Sequence, residues 1–84
     1  MTIVEFVLHV LALRTRFKFS VTSWGRTQAR NTEVGGHVDS RHLSWEALDV
    51  VVEPPSDANE LVRVAMKIGL RALDEGDHVH LQVP

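Results

Sequence analysis

Two polar clusters in the sequence contain side chains that can bind a metal ion or transfer a proton. Residues 40–49 include His42 and Asp49, and residues 77–80 include two histidines, the second of which is His80. A compact turn can bring the side chains of His42 and Asp49 to one point. Two imidazoles and one carboxylate would form a three-ligand zinc site with a fourth position open to water. Spacing alone leaves open whether these groups are ligands or surface side chains.

Composition restricts the classes of protein to which the chain can belong. Its 84 residues, 44% hydrophobic and 24% charged, are typical of one globular domain, which we predict to span residues 1–84. A net charge of -2 provides no basic field for nucleic acid, so we expect no nucleic-acid partner. The absence of cysteine excludes disulfides and thiolate metal sites, whereas five histidines favour a metal site of another kind.

The N-terminal apolar segment, residues 6–13, is too short to span a bilayer, and it is a poor secretory signal because Glu5 precedes it. We therefore expect no signal peptide and no membrane span. A protein of this kind that acts outside its cell of origin would need lysis or a dedicated channel.

The first half of the chain predicts a helix, a strand and a long loop. Thr2 and Glu5 have the spacing of a capping box that opens a helix. Period-2 alternation over residues 17–22 is typical of a strand. Residues 23–41 show no sustained periodicity and are predicted to be a functional loop. The predicted buried face of the helix consists of Val4, Val7, Leu8 and Leu11.

The second half predicts a strand, a helix and a final strand. The predicted strand Ala47–Glu53 ends at a pair of prolines, which cannot continue a strand ladder. Asp57 and Glu60 predict a second capping box, and helical periodicity continues to Leu73, with Gly76 as the C-terminal left-handed residue. Polar and apolar residues alternate again over residues 78–83, which predicts the final strand. The predicted fold is α+β, with two helices packed on a small antiparallel sheet.

The central part of the chain resembles a known family. From Val21 to Val50 it reads Val-Thr-Ser-Trp-Gly-Arg-Thr-x-x-x-Asn-x-x-Val-Gly-Gly-x-x-x-Ser-x-His-x-x-x-x-Ala-x-Asp-Val. This is similar to the zinc D-alanyl-D-alanine carboxypeptidases, a family that includes phage L-alanyl-D-glutamate endopeptidases. The resemblance extends from Phe19 to the end of the chain and implies the hedgehog-like fold of those enzymes, a Zn²⁺ cofactor and a peptidoglycan stem-peptide substrate.

The resemblance also implies roles for individual residues. A serine three residues before an arginine, then an asparagine, a Gly-Gly turn and a Ser-x-His-x6-Asp motif, occur in the family's order. The implied zinc ligands are His42, Asp49 and His80; the implied general base is Asp77; Arg26 would face the scissile carbonyl or a substrate carboxylate; and Ser40 would bind substrate.

Two positions need separate comment. If the last strand is regular, His78 shares the face of His80 while Asp77 points away, and Asp77 can serve as base only if the strand starts at or after it. We prefer Asp77 as base with His78 assisting; if that condition fails, His78 or Glu75 is the alternative. The family usually has glycine three residues after its first histidine, where this chain has Trp45. The ring could narrow the cleft and change substrate choice.

The resulting hypothesis is a zinc peptidase that cleaves bacterial cell-wall stem peptides. It would be encoded by a phage or prophage, made in the cytoplasm, and act on the wall after lysis or within a phage particle. One alternative is a non-catalytic module in which zinc stabilises a wall-binding or phage structural domain. Another is a metal-free binding domain. The sequence leaves open the bond cleaved, endo- or exo-action, the physiological metal and the oligomeric state.

Overall fold

A computed structural model describes residues 1–25, 32–36 and 44–84. Its first helix leads into two strands, and its second helix leads into two more. This agrees with the α+β class and the two helices predicted from the sequence, but adds a strand. The elements are α1 (Ile3–Arg16), β1 (Lys18–Ser23), β2 (Ala47–Glu53), α2 (Ala58–Lys67), β3 (Arg71–Asp74) and β4 (Val79–Gln82).

The four strands form one antiparallel sheet in the order β1-β2-β4-β3. One face of this sheet is apolar and packs against the helices; Leu48, Val50, Val79 and Leu81 contribute to it. The alternate residues of β2 and β4 lie on the other face, where Asp49 is opposite His80 and Ala47 is opposite Gln82. The sheet therefore separates a hydrophobic core from a polar face that carries the candidate site.

Helix α1 begins with the predicted capping box. Glu5 N donates to Thr2 Oγ1 at 3.1 Å, and Thr2 N donates to Glu5 Oε1 at 2.9 Å. The predicted buried face was wrong, because the side chains that enter the core are Phe6, Val10 and Leu13. Apolar residues occur almost all around this helix, so periodicity does not select a face. Among the described residues, no helix is long and apolar enough to cross a membrane.

Helix α2 ends earlier than the sequence predicted. It stops at Lys67, and Gly69 has φ 102°, the left-handed conformation that terminates many helices. The predicted continuation to Leu73 was wrong, since residues 71–74 form β3. The predicted second capping box was also wrong: among the described residues, the Asp57 side chain makes no capping hydrogen bond.

A tight hairpin joins β3 to β4. Gly76 has φ 96°, which residues with a Cβ rarely adopt, and this lets the chain reverse over two residues. Glu75 N donates to His78 O at 2.9 Å, which makes these two residues neighbours across the hairpin. The turn thus brings the side chains of Glu75 and His78 next to each other at the end of the sheet.

Candidate metal centre

The centre of the site is a carboxylate and an imidazole from neighbouring strands. Asp49 on β2 lies directly opposite His80 on β4, and Asp49 Oδ1 is 3.0 Å from His80 Nδ1. Only 12% of the Asp49 side chain and 21% of the His80 side chain are exposed. A buried carboxylate requires a positive or hydrogen-bonding partner, and strand pairing supplies it here.

The β3–β4 hairpin adds two more ionisable groups to this pair. Glu75 Oε1 lies 3.9 Å from His80 Nδ1, and His78 Nε2 lies 3.5 Å from Glu75 Oε1. His78 Nε2 is also 3.9 Å from Asp49 Oδ1. Two carboxylates and two imidazoles therefore converge on the polar face of the sheet.

Asp77 lies in the hairpin turn and contacts this group through His78. His78 Nδ1 donates to Asp77 Oδ1 at 2.7 Å, and 91% of the Asp77 side chain is exposed. Of the hairpin carboxylates Glu75 and Asp77, the one that comes within 4 Å of His80 is that of Glu75. Asp77 is thus placed to orient the imidazole of His78.

The carboxylates favour positive charge on both imidazoles. The hydrogen bond with Asp49 is the main reason that the pKa of His80 is raised, against the opposing effect of burial. Burial is the largest single influence on the pKa of His78 and lowers it, but the hydrogen bond to Asp77 and the charges of Asp49 and Glu75 together raise it. The site therefore attracts a cation, which can be a proton or a metal ion.

The donor atoms have a spacing that suits a metal ion. Among the described residues, one ligand atom each from Asp49, Glu75 and His80 lie within 4.8 Å of one another. Two ligands of a tetrahedral zinc ion at its usual bond lengths are about 3.4 Å apart. The 3.0 Å and 3.9 Å separations of the Asp49 and Glu75 oxygens from His80 Nδ1 bracket that value. Nitrogen and carboxylate oxygen are also ligand types that zinc accepts.

The structure brings together two of the three predicted zinc ligands, Asp49 and His80. The third, His42, lies outside the described residues, as do Arg26 and Ser40. From the sequence, Glu75 was predicted only as an alternative base, because helical periodicity up to Leu73, with Gly76 as the C-terminal left-handed residue, placed it at the end of a helix. A Gly-Asp pair flanked by short alternating segments was the hairpin signal that could have identified its position.

Trp45 occupies an unusual backbone conformation beside the start of β2. Its φ of 63° lies in the left-handed region, which favours glycine. Its ring contacts that of Trp24 edge to face, with centroids 5.3 Å apart, and covers Gly25 so closely that a Cβ there would clash. Trp24 Nε1 also donates to Trp45 O at 3.0 Å. These contacts keep Trp45 in a left-handed backbone conformation in which a glycine would be less strained.

The fold and site define a small α+β domain with a histidine–carboxylate group able to hold a divalent metal. The family model of Peptidase M15 matches residues 1–82. The chain therefore belongs to the Peptidase M15 family, whose members are zinc-dependent peptidases. Neither a curated protein nor a solved structure significantly matches the chain.

Proposed function

We propose that this protein is a zinc peptidase that hydrolyses peptide bonds in peptidoglycan stem peptides, of the D-Ala-D-Ala carboxypeptidase or L-Ala-D-Glu endopeptidase type. The observation that carries this proposal is the pairing of Asp49 with His80 beside Glu75, in a chain that belongs to the Peptidase M15 family. The hedgehog-like fold, phage encoding and action after lysis stay predictions of the sequence.

In this proposal, Asp49 and His80 hold the metal, with His42 as the further ligand predicted from the sequence. A zinc ion supplies Lewis acidity, which polarises a carbonyl and makes water more acidic. The buried carboxylate of Asp49 suits a permanent ligand, because it is fixed by strand pairing and shielded from solvent.

We assign the role of general base to Glu75 in preference to Asp77. The Glu75 side chain is 41% exposed, so its carboxylate can meet both substrate and water, and Oε1 is 3.9 Å from His80 Nδ1. Glu75 Oε1 would accept a proton from the attacking water and return it to the leaving amine. Asp77 would act through His78, by holding the imidazole with Nε2 directed at Glu75.

The test is mass spectrometry of muropeptides incubated with the zinc-loaded protein. The wild type should release stem-peptide fragments whose masses identify the bond. Glu75→Gln should lower the rate by about 100- to 10,000-fold, the usual contribution of general acid–base catalysis. Asp77→Asn should have a smaller effect, and Glu53→Gln, which removes an equal charge from an exposed pair with Lys18, should have none.

Two results would change this assignment. If Asp77→Asn abolishes cleavage while Glu75→Gln retains it, Asp77 is the base and the role proposed for Glu75 is wrong. If the wild type binds zinc and peptidoglycan but releases no new fragment, the protein is a non-catalytic wall-binding module.

A further inference from the structure

An open cleft lies on the polar face of the sheet, beside the imidazole of His80. Arg71 and Leu73 on β3 are directly opposite Gln82 and His80 on β4, and side chains of directly opposed residues project to the same face. The cleft is lined by Arg71, Ala72, Leu73, His80 and Gln82. Strand β3, at the edge of the sheet, therefore borders the groups that could hold a metal.

Two side chains of this cleft are unusual for their position. Leu73 is 59% exposed although it lies opposite His80, so a large apolar side chain faces solvent next to the ionisable groups. Arg71 is also exposed and forms no ion pair with any other described residue. An apolar surface beside an unpaired guanidinium suits a ligand that carries a small apolar group and a carboxylate.

The order of the side chains along the chain matches the order of groups in a single amino acid. Arg71, Leu73 and Glu75 alternate along the chain, so they lie on one face at intervals of about 6.6 Å. An amino acid bound along this row has its α-carboxylate at Arg71, its side chain on Leu73 and its amine near Glu75. Because Asp49 and Glu75 repel a bound carboxylate, the cation of Arg71 is needed to hold one this close to the metal group.

We propose that Arg71 and Leu73 form the subsite for the amino acid that cleavage releases, and that this is a residue with a small apolar side chain and a free α-carboxylate. The C-terminal residue of a D-Ala-D-Ala stem peptide has both features. This inference rests on the proposed function and selects the carboxypeptidase type within it. Arg71 binds the α-carboxylate through charge-assisted hydrogen bonds, and the amine then leaves beside Glu75, the proposed base.

The first measurement is the release of the last residue from a stem pentapeptide that ends in D-Ala-D-Ala, and from the same peptide with a C-terminal amide, by the zinc-loaded protein. The wild type should prefer the free acid. Arg71→Gln should lower kcat/KM for the acid by about 10- to 100-fold, the usual loss when a hydrogen bond to a charged group is removed, and should leave the amide unaffected. Arg71→Lys should recover part of the loss.

The matched control is Arg63→Gln, which removes the same side chain from an exposed pair with Glu60 on α2. This variant should retain the wild-type preference for the acid. A circular dichroism melt of each variant establishes that it is folded. A substitution at Arg71 that only disturbs the fold would lower the rates for acid and amide alike.

The second measurement is the binding of D-alanine, the released product, followed by NMR signals of the Arg71 and Leu73 side chains. D-alanine should shift both signals, D-alaninamide should shift them less, and Arg71→Gln should weaken the binding of D-alanine. The comparison of acid with amide isolates the carboxylate, because the two ligands share the amine and the methyl group.

The outcomes distinguish this inference from the peptidase proposal. Equal effects of Arg71→Gln on acid and amide, or release of the last residue from neither peptide, would overturn the inference; if muropeptides are still cleaved, the peptidase proposal stands. A protein that releases no fragment from muropeptides contradicts the proposed function. The binding of D-alanine then decides whether the Arg71 subsite exists, and an absence of carboxylate-dependent shifts would overturn it.

Discussion

Zinc should stabilise the folded protein strongly, and the effect should depend on Asp49. A ligand at 100 times its Kd adds about 2.7 kcal/mol to the free energy of unfolding. At about 2.1 cal/mol/K per residue, the entropy of unfolding of an 84-residue chain is about 0.18 kcal/mol/K. We therefore expect zinc at that concentration to raise the Tm of the wild type by about 15 °C.

Asp49→Asn should remove most of this shift. The substitution keeps the size of the side chain but deletes the charge that faces His80 Nδ1. If the Kd for zinc rises about 100-fold, the same zinc concentration adds only about 0.4 kcal/mol, or about 2 °C in Tm. Each variant is compared with its own chelator-treated sample by calorimetry, so that effects of the substitution on the metal-free fold cancel.

The matched control for this substitution is Glu53→Gln. It also removes one carboxylate charge from β2, but at an exposed position paired with Lys18 at 3.3 Å. This variant should keep the full zinc-dependent shift. A wild type whose Tm does not respond to zinc, or an Asp49→Asn variant that keeps the full shift, would refute the reasoning.

Four further predictions concern pH and backbone conformation. The pKa of His80 is raised in the folded state, chiefly by Asp49. Protonated His80 should therefore stabilise the metal-free protein fully below about pH 6.5, and this stabilisation should disappear as the pH rises through the folded-state pKa. Urea unfolding at several pH values would measure this dependence, and Asp49→Asn should flatten it. Zinc affinity should increase with pH over the same pH range, because the ligating imidazole must be deprotonated to bind the metal. A chelator titration would measure this affinity, and an affinity that does not increase would show that His80 is not a ligand. Trp45→Gly should be more stable to urea than Trp45→Ala by about 1 kcal/mol, because both lose the ring but only alanine keeps the strain of φ 63°; the reverse order would contradict the argument. Gly76→Ala should destabilise the protein by about 1–2 kcal/mol through the backbone alone, because, within the described part of the chain, no heavy atom beyond Gly76 and its two chain neighbours lies within 4 Å of the added Cβ. An unchanged urea midpoint would contradict this.

Much of the site could be predicted because its two central residues lie on strands with clear signals. The bounds of β2 follow from its β-branched residues and the prolines after it, and the alternation around His80 indicated β4. The motif containing Asp49 and the histidine near the C-terminus then named both residues as candidate ligands. Strand register, which places Asp49 opposite His80, depends on long-range pairing and could be known only from the folded structure.

The missed features have a common physical cause, which is that local patterns were compatible with more than one structure. Residues after Lys67 continue a helical periodicity, yet Gly69 ends the helix and allows Leu70 to enter the core. The short strand β3 then contributes a hairpin, and this hairpin moves Glu75 into the site. In α1, apolar residues occur almost all around the helix, so the sequence pattern does not determine which of them are buried. Packing against the sheet determines that Phe6 enters the core.

The most direct test of the metal centre is a crystal structure of the protein grown with zinc, with diffraction data collected on both sides of the zinc absorption edge. We predict an anomalous peak about 2.0–2.2 Å from a carboxylate oxygen of Asp49 and from Nδ1 of His80. A peak bound elsewhere, or a zinc ion that contacts His80 only through Nε2, would contradict the account.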